Sequence, residues 1–563
     1  MAQEIEVVVI GAGLSGICAG IKLREAGING FVILEKSPRA GGTWNDNKYP
    51  GCACDIPFLL YTYSFAPDAT RDVFAPSDDI QAYLLRTADA YGVAPHFRFN
   101  TRVDGLAWDS AACRWDVRAT NLGDDSRGGG GGGGYRARFV ICSTGQLSVP
   151  KWPPYVDAAT RATAERAWAA HHPATRGSAD GGNGATPPTP TVMHSARWDR
   201  SVEEGDALAG KTVVVVGNGS SGVQLLESLQ PRVKTLVLAR RSPKWMLTRL
   251  FQRFPRWLLA VLKHALPWRL LLRLLRAFVF ALIDLLHVVL ASRGWWQRNF
   301  RKKLRKEMTR KQPRLQELGL LPSFRPGCNR MILHSDYLVR VAAPNVTVIE
   351  DTVVGLAPGG YGLVLEGGRQ VAADLVVFAT GFDLNNCTPP FPVAGRDGAD
   401  LAAQWDVARG GPRAYLGVAV PRFPNLFLTY GPNTNTVLGS ITFFVECAVG
   451  YIVQAIGHAQ KQQHAVAEDG GGQYGSGRSA ARVALEVSEA TVARYYGETV
   501  VPCMDGRPEM EECPSWYKPP GAMKLPPGFV SPTNFPGTMT YYWWLTRHFA
   551  SADYAVTVGR PRM

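Results

Sequence analysis

Apolar residues near the start of the chain come in unbroken blocks, not in alternation. In EIEVVVIGAGLSGICAGIKLREAG, Val7 to Ile10 are consecutive; a glycine-rich turn follows, then a helix-compatible stretch, then a second block, FVILEK. A short β-branched block bounded by glycine predicts a strand buried on both faces. Block, helix and block in that order predict a βαβ unit with parallel strands. The pattern returns in KTVVVVGNGSSGVQLLESL, with TLVLAR after it. Two such units predict an α/β fold with two Rossmann-like dinucleotide-binding domains.

Between 246 and 311 the pattern changes. RWLLAVLKHALPWRLLLRLLRAFVFALIDLLHVVLASRGWW is strongly apolar, with basic residues at helical intervals, and Pro267 is expected to break it into two helices. Its uncharged runs, such as Ala277 to Ile283, fall far short of the ~20 residues of a membrane span. Two readings stand. One is a helical cap over the other domains, with arginine stems lying on apolar surface; the other is a helix lying in a bilayer surface. Three further stretches, Gly128 to Gly134, 173–191 and 468–480, are low in complexity and are expected to be flexible loop insertions.

Composition narrows the class. With 563 residues, 46% hydrophobic and 19% charged, the chain can bury large cores and form two to four domains. The net charge of +14 is local: residues 240–314 carry 20 Lys and Arg against two acids, Asp284 and Glu307, so the remainder is close to neutral. A basic insert on such a chain, without any recognition motif, excludes a nucleic-acid function. The ten cysteines show no metal-ligand spacing and no CxxC; Cys52 and Cys54 are read as packing or loop residues, no metal is expected, and a disulfide reductase is excluded. No secretory signal precedes the first strand at about Ile5, so a reducing, cytoplasmic setting is expected, with membrane association through the insert left open.

The turns carry the chemistry. Gly11, Gly13 and Gly16 form GxGxxG, and Glu35 closes the second strand 19 residues after Gly16. Small residues let the backbone approach a pyrophosphate, the next helix offers N–H donors, and the carboxylate accepts from a ribose hydroxyl. Gly217, Gly219 and Gly222 repeat the turn, but the following strand ends in Arg240 and Arg241. Arginine suits a 2′-phosphate where an acid suits a free hydroxyl, so the first unit is expected to hold FAD and the second NADPH.

The residues between and after the two units carry a resemblance. GGTWNDNKYPGCACDI at 41–56, STGQLSVPKWP at 143–153, HSARWD at 194–199, ARRSPKW at 239–245, PGCNR at 326–330 and FATGF at 378–382 stand in the order found in Baeyer–Villiger monooxygenases. These are class B flavoprotein monooxygenases of the flavin-containing monooxygenase superfamily. FPNLFLTYGPNTN at 423–435, SWYK at 515–518 and NFPGT at 534–538 extend the likeness to the C-terminal part. The resemblance implies an FAD-binding domain made of 1–150 and 375–563. An NADPH-binding domain, 151–374, is inserted in it, with a helical insertion at 246–321. The chain departs from the family's pattern at Pro188 and Pro190, which stand where the fingerprint has Phe and Gly, and at Asn329, where a lysine is usual.

The implied activity is NADPH- and O2-dependent insertion of one oxygen next to the carbonyl of a small apolar ketone, through a C4a-peroxide of the reduced flavin, to give an ester or lactone. Arg330 is the candidate catalytic cation, since a guanidinium stays charged at any working pH, and Asp55 is the acid that positions it. Gly42, Trp44, Tyr49, Asp55 and Gln146 are placed with FAD, and Arg241 and Ser242 with NADPH; Trp44 and Tyr49 have ordinary core packing as their other reading. His194 and Trp198 are expected at the hinge between the domains. Two other functions remain open: N- or S-oxygenation, which needs no arginine beside a peroxyanion, and a catalytically inactive membrane-surface flavoprotein. The substrate's identity and the oligomeric state are not legible.

Overall fold

The computed structural model describes residues 2–68, 70, 72–122, 133–171, 191–203, 205–249, 268–292, 294–334, 336–383, 387–436, 438–469, 482–504, 507, 518 and 530–559. Pro188, Pro190, Pro267 and nearly all of the three low-complexity stretches lie outside the described residues, as does SWYK up to Lys518. Gly133 and Gly134, expected in a loop, instead open the strand Gly133–Cys142.

The two apolar blocks become the centres of two sheets. Gln3–Ile10 pairs in parallel with Phe31–Leu34 on one side and Gly133–Cys142 on the other. The antiparallel strands Thr101–Asp109 and Arg114–Asn121 extend this first sheet. The second sheet is parallel throughout, in the order Val346–Glu350, Thr235–Arg240, Thr212–Val216, Leu375–Phe378, Val192–His194. Strands buried on both faces need apolar residues at every position, and Val213, Val214 and Val215 have no exposed surface. The boundary expected at 374/375 needs correction: Leu375–Phe378 belongs to the second sheet, so the chain turns back to the first unit only after Phe378.

The two crossings between the units run side by side. Pro150 bridges Phe382, Lys151 N–H donates to the Gly381 carbonyl at 3.0 Å, and Asp383 N–H donates to the Val149 carbonyl at 2.8 Å. The 29-residue helix Ile441–Asp469 packs on the helix Leu14–Glu25 and belongs to the core of the first unit. The insert holds two described helices, Trp268–Ala291 and Trp295–Lys311, the first beginning directly after Pro267.

Both glycine-rich turns are sterically closed on their inner side. A Cβ on Gly16 would lie 1.8 Å from the Gly11 carbonyl oxygen, and one on Gly222 would lie 2.1 Å from the Gly217 carbonyl oxygen. Neither helix can then approach its strand with a larger residue. Gly16→Ala is therefore expected to yield colourless protein. Gly222→Ala should keep bound flavin and lose NADP+ binding by at least about tenfold. Absorbance of the purified variants and NADP+ titration read both; loss of flavin from Gly222→Ala would contradict the assignment.

Candidate active site

Two helix N-termini face the turns. The helices Leu14–Glu25 and Ser220–Leu229 start after Gly13 and Gly219, and no side chain caps either. Their first N–H groups are thus left for an anion, as a bound pyrophosphate requires. Space exists for one: a Cβ on Gly219 would meet nothing within 4 Å, and Gly13 lies against the backbone of Gly42, whose own Cβ would come 2.9 Å from the Gly13 Cα. Glu35 is buried and accepts from the amides of Ala12 and Ser37, both at 2.8 Å. Burial pushes its carboxyl up and these two amides pull it back. The donor set fits a dinucleotide in each turn, with Gly11, Gly13, Gly16, Glu35 and Gly42 around the first and Gly217, Gly219 and Gly222 around the second.

The segment 44–56 crosses from the first unit onto the second. Tyr49 Oη donates to Gln224 Oε1 at 2.8 Å, and Gln224 Nε2 donates to the Ala53 carbonyl at 2.9 Å. Gly51 touches the same helix, where a Cβ would come 2.2 Å from Ser228 Oγ. This docking sets Asp55 between the units. Arg330 Nη2 donates to Asp55 Oδ1 at 2.7 Å, and Ser220 Oγ donates to Asp55 Oδ2 at 3.2 Å. The sequence candidates Asp55 and Arg330, 275 positions apart, are thus in a direct ion pair, its side chains 16% and 28% exposed. Trp44, also buried, donates from Nε1 to Tyr61 Oη at 3.1 Å and meets that ring edge-on. Gln146 lies in a cleft beyond the end of Gly133–Cys142, with Thr144, Cys387 and Tyr430. Cys328, two residues before Arg330, is disulfide-bonded. Among the described residues no group of acids, histidines and cysteines is arranged to hold a metal.

Sequence reasoning missed several participants. Ser220 and Gln224 could have been suspected from their place at the head of the second glycine-turn helix. Arg249 carried no signal. It is a partly buried cation whose charge is felt at Cys54, and burial pushes its own guanidinium down.

Arg240 requires a correction. Its side chain has no exposed surface. Its guanidinium donates to both oxygens of Glu350, at 3.0 and 2.9 Å, and to the Gly319 carbonyl at 2.7 Å. It ties the second sheet to the end of the insert and is not available to a phosphate. Arg241 is exposed, and the Ser242 carbonyl accepts from Asn218. Lys244, close to Arg241, has its ammonium pushed down to about 8 by burial and by that guanidinium. Asn329 is buried.

His194 sits at the crossings. It has no exposed surface, its Nδ1 accepts from Ala196 N–H at 3.1 Å, and its Nε2 lies 3.4 Å from Thr380 Oγ1. The hydroxyl of Thr380 donates to the Lys151 carbonyl at 2.6 Å, so the ring spans both connections. Trp198 is buried and donates to Glu203 at 2.7 Å. Burial, then the charge of Arg197, pushes the His194 imidazole down to about 3. The folded state therefore takes up its proton later than the unfolded chain, and stability is lost as pH falls from about 6.5 toward 3, by up to ~1.4 kcal/mol per pH unit. His287, pushed down to about 4 by burial, adds to the same window. Thermal melts between pH 7 and 4 should show this slope, and His194→Gln should flatten part of it; an unchanged slope would contradict the buried neutral ring.

Comparison with known proteins bears on the fold and the family. A family model described as an NAD(P)-binding Rossmann-like domain matches residues 9–75. A Baeyer–Villiger monooxygenase of Streptomyces coelicolor is 32% identical over 456 residues, covering 80% of this chain and 78% of the relative. One of Pseudomonas aeruginosa is 30% identical over 563 residues, covering 99% and 92%. Among solved structures, an oxidized steroid monooxygenase bound to NADP superposes with a TM-score of 0.74 at 22% identity, over 99% of this chain and 100% of that one. Cyclohexanone monooxygenase from Rhodococcus sp. Phi1 bound to NADP+ gives 0.74 at 21% identity over both full lengths. The chain belongs to the Baeyer–Villiger monooxygenases: it is an FAD-dependent monooxygenase that works with NADPH and O2.

Proposed function

We propose that the chain converts a small apolar ketone to an ester or lactone, with Arg330 as the catalytic cation and Asp55 as its positioning residue. The ion pair between them, seated on the head of the NADPH-side helix, carries this reading. Bound FAD, reduced by NADPH, supplies the oxygen chemistry. The chain's part is electrostatic: Arg330 holds a fixed positive charge against the negative charge that develops as oxygen is passed to the carbonyl carbon. Asp55 fixes the direction of that guanidinium, and Ser220 fixes the free oxygen of Asp55. N- or S-oxygenation uses no such cation, and the pairing favours the ketone reading. FAD is taken to lie over residues 1–150 and the chain after Phe378, and NADPH over the unit between them. The setting is taken as cytoplasmic because eight described cysteines are free, against the single described one, Cys328, in a disulfide.

Removing Arg330 should cost ~3 kcal/mol of transition-state stabilisation, a loss of about 100-fold or more in ester formation. Purified Arg330→Ala should stay yellow and still oxidise NADPH while its ester yield collapses, measured by product analysis with a panel of cyclic and linear ketones. Ester formation at the unmodified rate would remove Arg330 from the chemistry.

Arg241, Ser242 and Lys244 are taken as the 2′-phosphate side of the NADPH site, with Arg240 excluded by its burial. A lysine pushed down to about 8 loses its charge as pH rises through that value. The KM for NADPH should then climb about tenfold above pH 8 while that for NADH stays flat, and Lys244→Arg should abolish the climb. Equal pH profiles for the two coenzymes would contradict this placement.

A further inference from the structure

The helix Trp268–Ala291 is amphipathic in reverse. Its inward stripe, stepping by three or four residues, is Leu272, Arg276, Phe280, Asp284, His287 and Leu290. These polar groups hold it to the body. Arg276 donates to the carbonyls of Leu59 and Thr62 and faces Glu446 at 3.6 Å; Asp284 accepts from the amides of Met539 and Thr540 at 2.8 and 3.1 Å. The outward stripe is apolar: Leu270, Leu274, Phe278, Leu282, Leu285 and Val288 are each 48–61% exposed. A cap over a water-soluble core shows the opposite arrangement, charges out and apolar residues in. A contiguous apolar face of this size marks a surface that binds something.

We propose that this face docks on an anionic lipid bilayer, with the helix lying in the plane of the interface. The segment Leu270–Ala291 has a mean hydropathy of 2.2 and is long and apolar enough to cross a membrane. The protein contacts of Arg276 and Asp284 leave only its outer face for lipid, so it lies flat. Charge identifies the lipid. The next helix, Trp295–Lys311, carries eight Lys and Arg against one acid, Glu307, and Arg298, Lys302, Lys303, Arg305, Lys306 and Arg310 are exposed. Anionic headgroups neutralise such a row, whereas a second copy of this +14 chain would bring like charges together. Exposed tryptophans flank the apolar stripe, as at membrane–water boundaries: Trp295 and Trp296 start the basic helix, and Trp543 and Trp544 lie on the helix Met539–Thr546 that Asp284 caps. Arg276 also grips the carbonyls of Leu59 and Thr62, just beyond Asp55, so the lipid face and the oxygenation site share one stretch of chain.

The test is co-sedimentation of the flavin-loaded enzyme with vesicles of phosphatidylcholine, with or without phosphatidylglycerol, beside light scattering of the enzyme alone. The wild-type enzyme should be monomeric on this face and pellet with the anionic vesicles, at least about tenfold more than with phosphatidylcholine alone. Leu274→Glu combined with Phe278→Glu should abolish pelleting while bound flavin and NADPH oxidation in solution stay unchanged, because both side chains are exposed. Lys302→Glu combined with Lys306→Glu should remove the preference for the anionic vesicles. The proposal is overturned if wild-type enzyme stays in the supernatant with both lipids, or if the apolar variant pellets as the wild type does. It is equally overturned if scattering shows a dimer that the apolar variant dissolves, which would make the face a contact between copies.

Discussion

Asp55 is the point at which the two nucleotide units are tied to each other. One carboxylate oxygen takes the guanidinium of Arg330 at 2.7 Å and the other takes the hydroxyl of Ser220, the first residue of the second glycine-turn helix. The loop that carries Asp55 has little freedom, since Tyr49, Ala53 and Gly51 all press on that same helix through Gln224 and Ser228. A catalytic cation is useful only if it is already in place when negative charge develops. The carboxylate gives Arg330 that fixed position, and the second unit gives it to the carboxylate. The same contact makes the site depend on how the two units are docked.

The crossings between the units are built to keep that docking in register. They run antiparallel and exchange backbone hydrogen bonds, and His194 lies against both through Thr380 and the ring of Trp152. A neutral imidazole suits this place: it accepts from Ala196 and can donate toward Thr380 without introducing a buried charge. Arg240 does a related job at the far edge of the second sheet, where its hydrogen bonds to Glu350 and Gly319 join the sheet to the insert.

The two βαβ units were legible because their turns admit only one solution: a strand that must touch a helix leaves no room for a Cβ at Gly16 or Gly222. Asp55 and Arg330 were found by likeness of their surroundings, and nothing in the spacing of two residues 275 positions apart foretold the ion pair. The error at Arg240 is physical. Adjacent residues at a strand end point to opposite sides, so of two consecutive arginines one turns in and the other out, and sequence does not say which. Gln224 and Arg249 were missed because their partners lie far off in the chain. In the insert, the apolar period was visible, yet both faces of the helix are rich in leucine. Only the packing of Arg276 and Asp284 shows which face is turned away from the protein.

The claim that Asp55 acts through Arg330 is tested most directly by a double-mutant cycle on ester formation, using Asp55→Asn, Arg330→Ala and the two combined, in protein with flavin bound. If the acid serves only to set the guanidinium, the combined variant will be no slower than Arg330→Ala alone. If the two losses multiply, Asp55 has an independent role and the pair is not the unit described here.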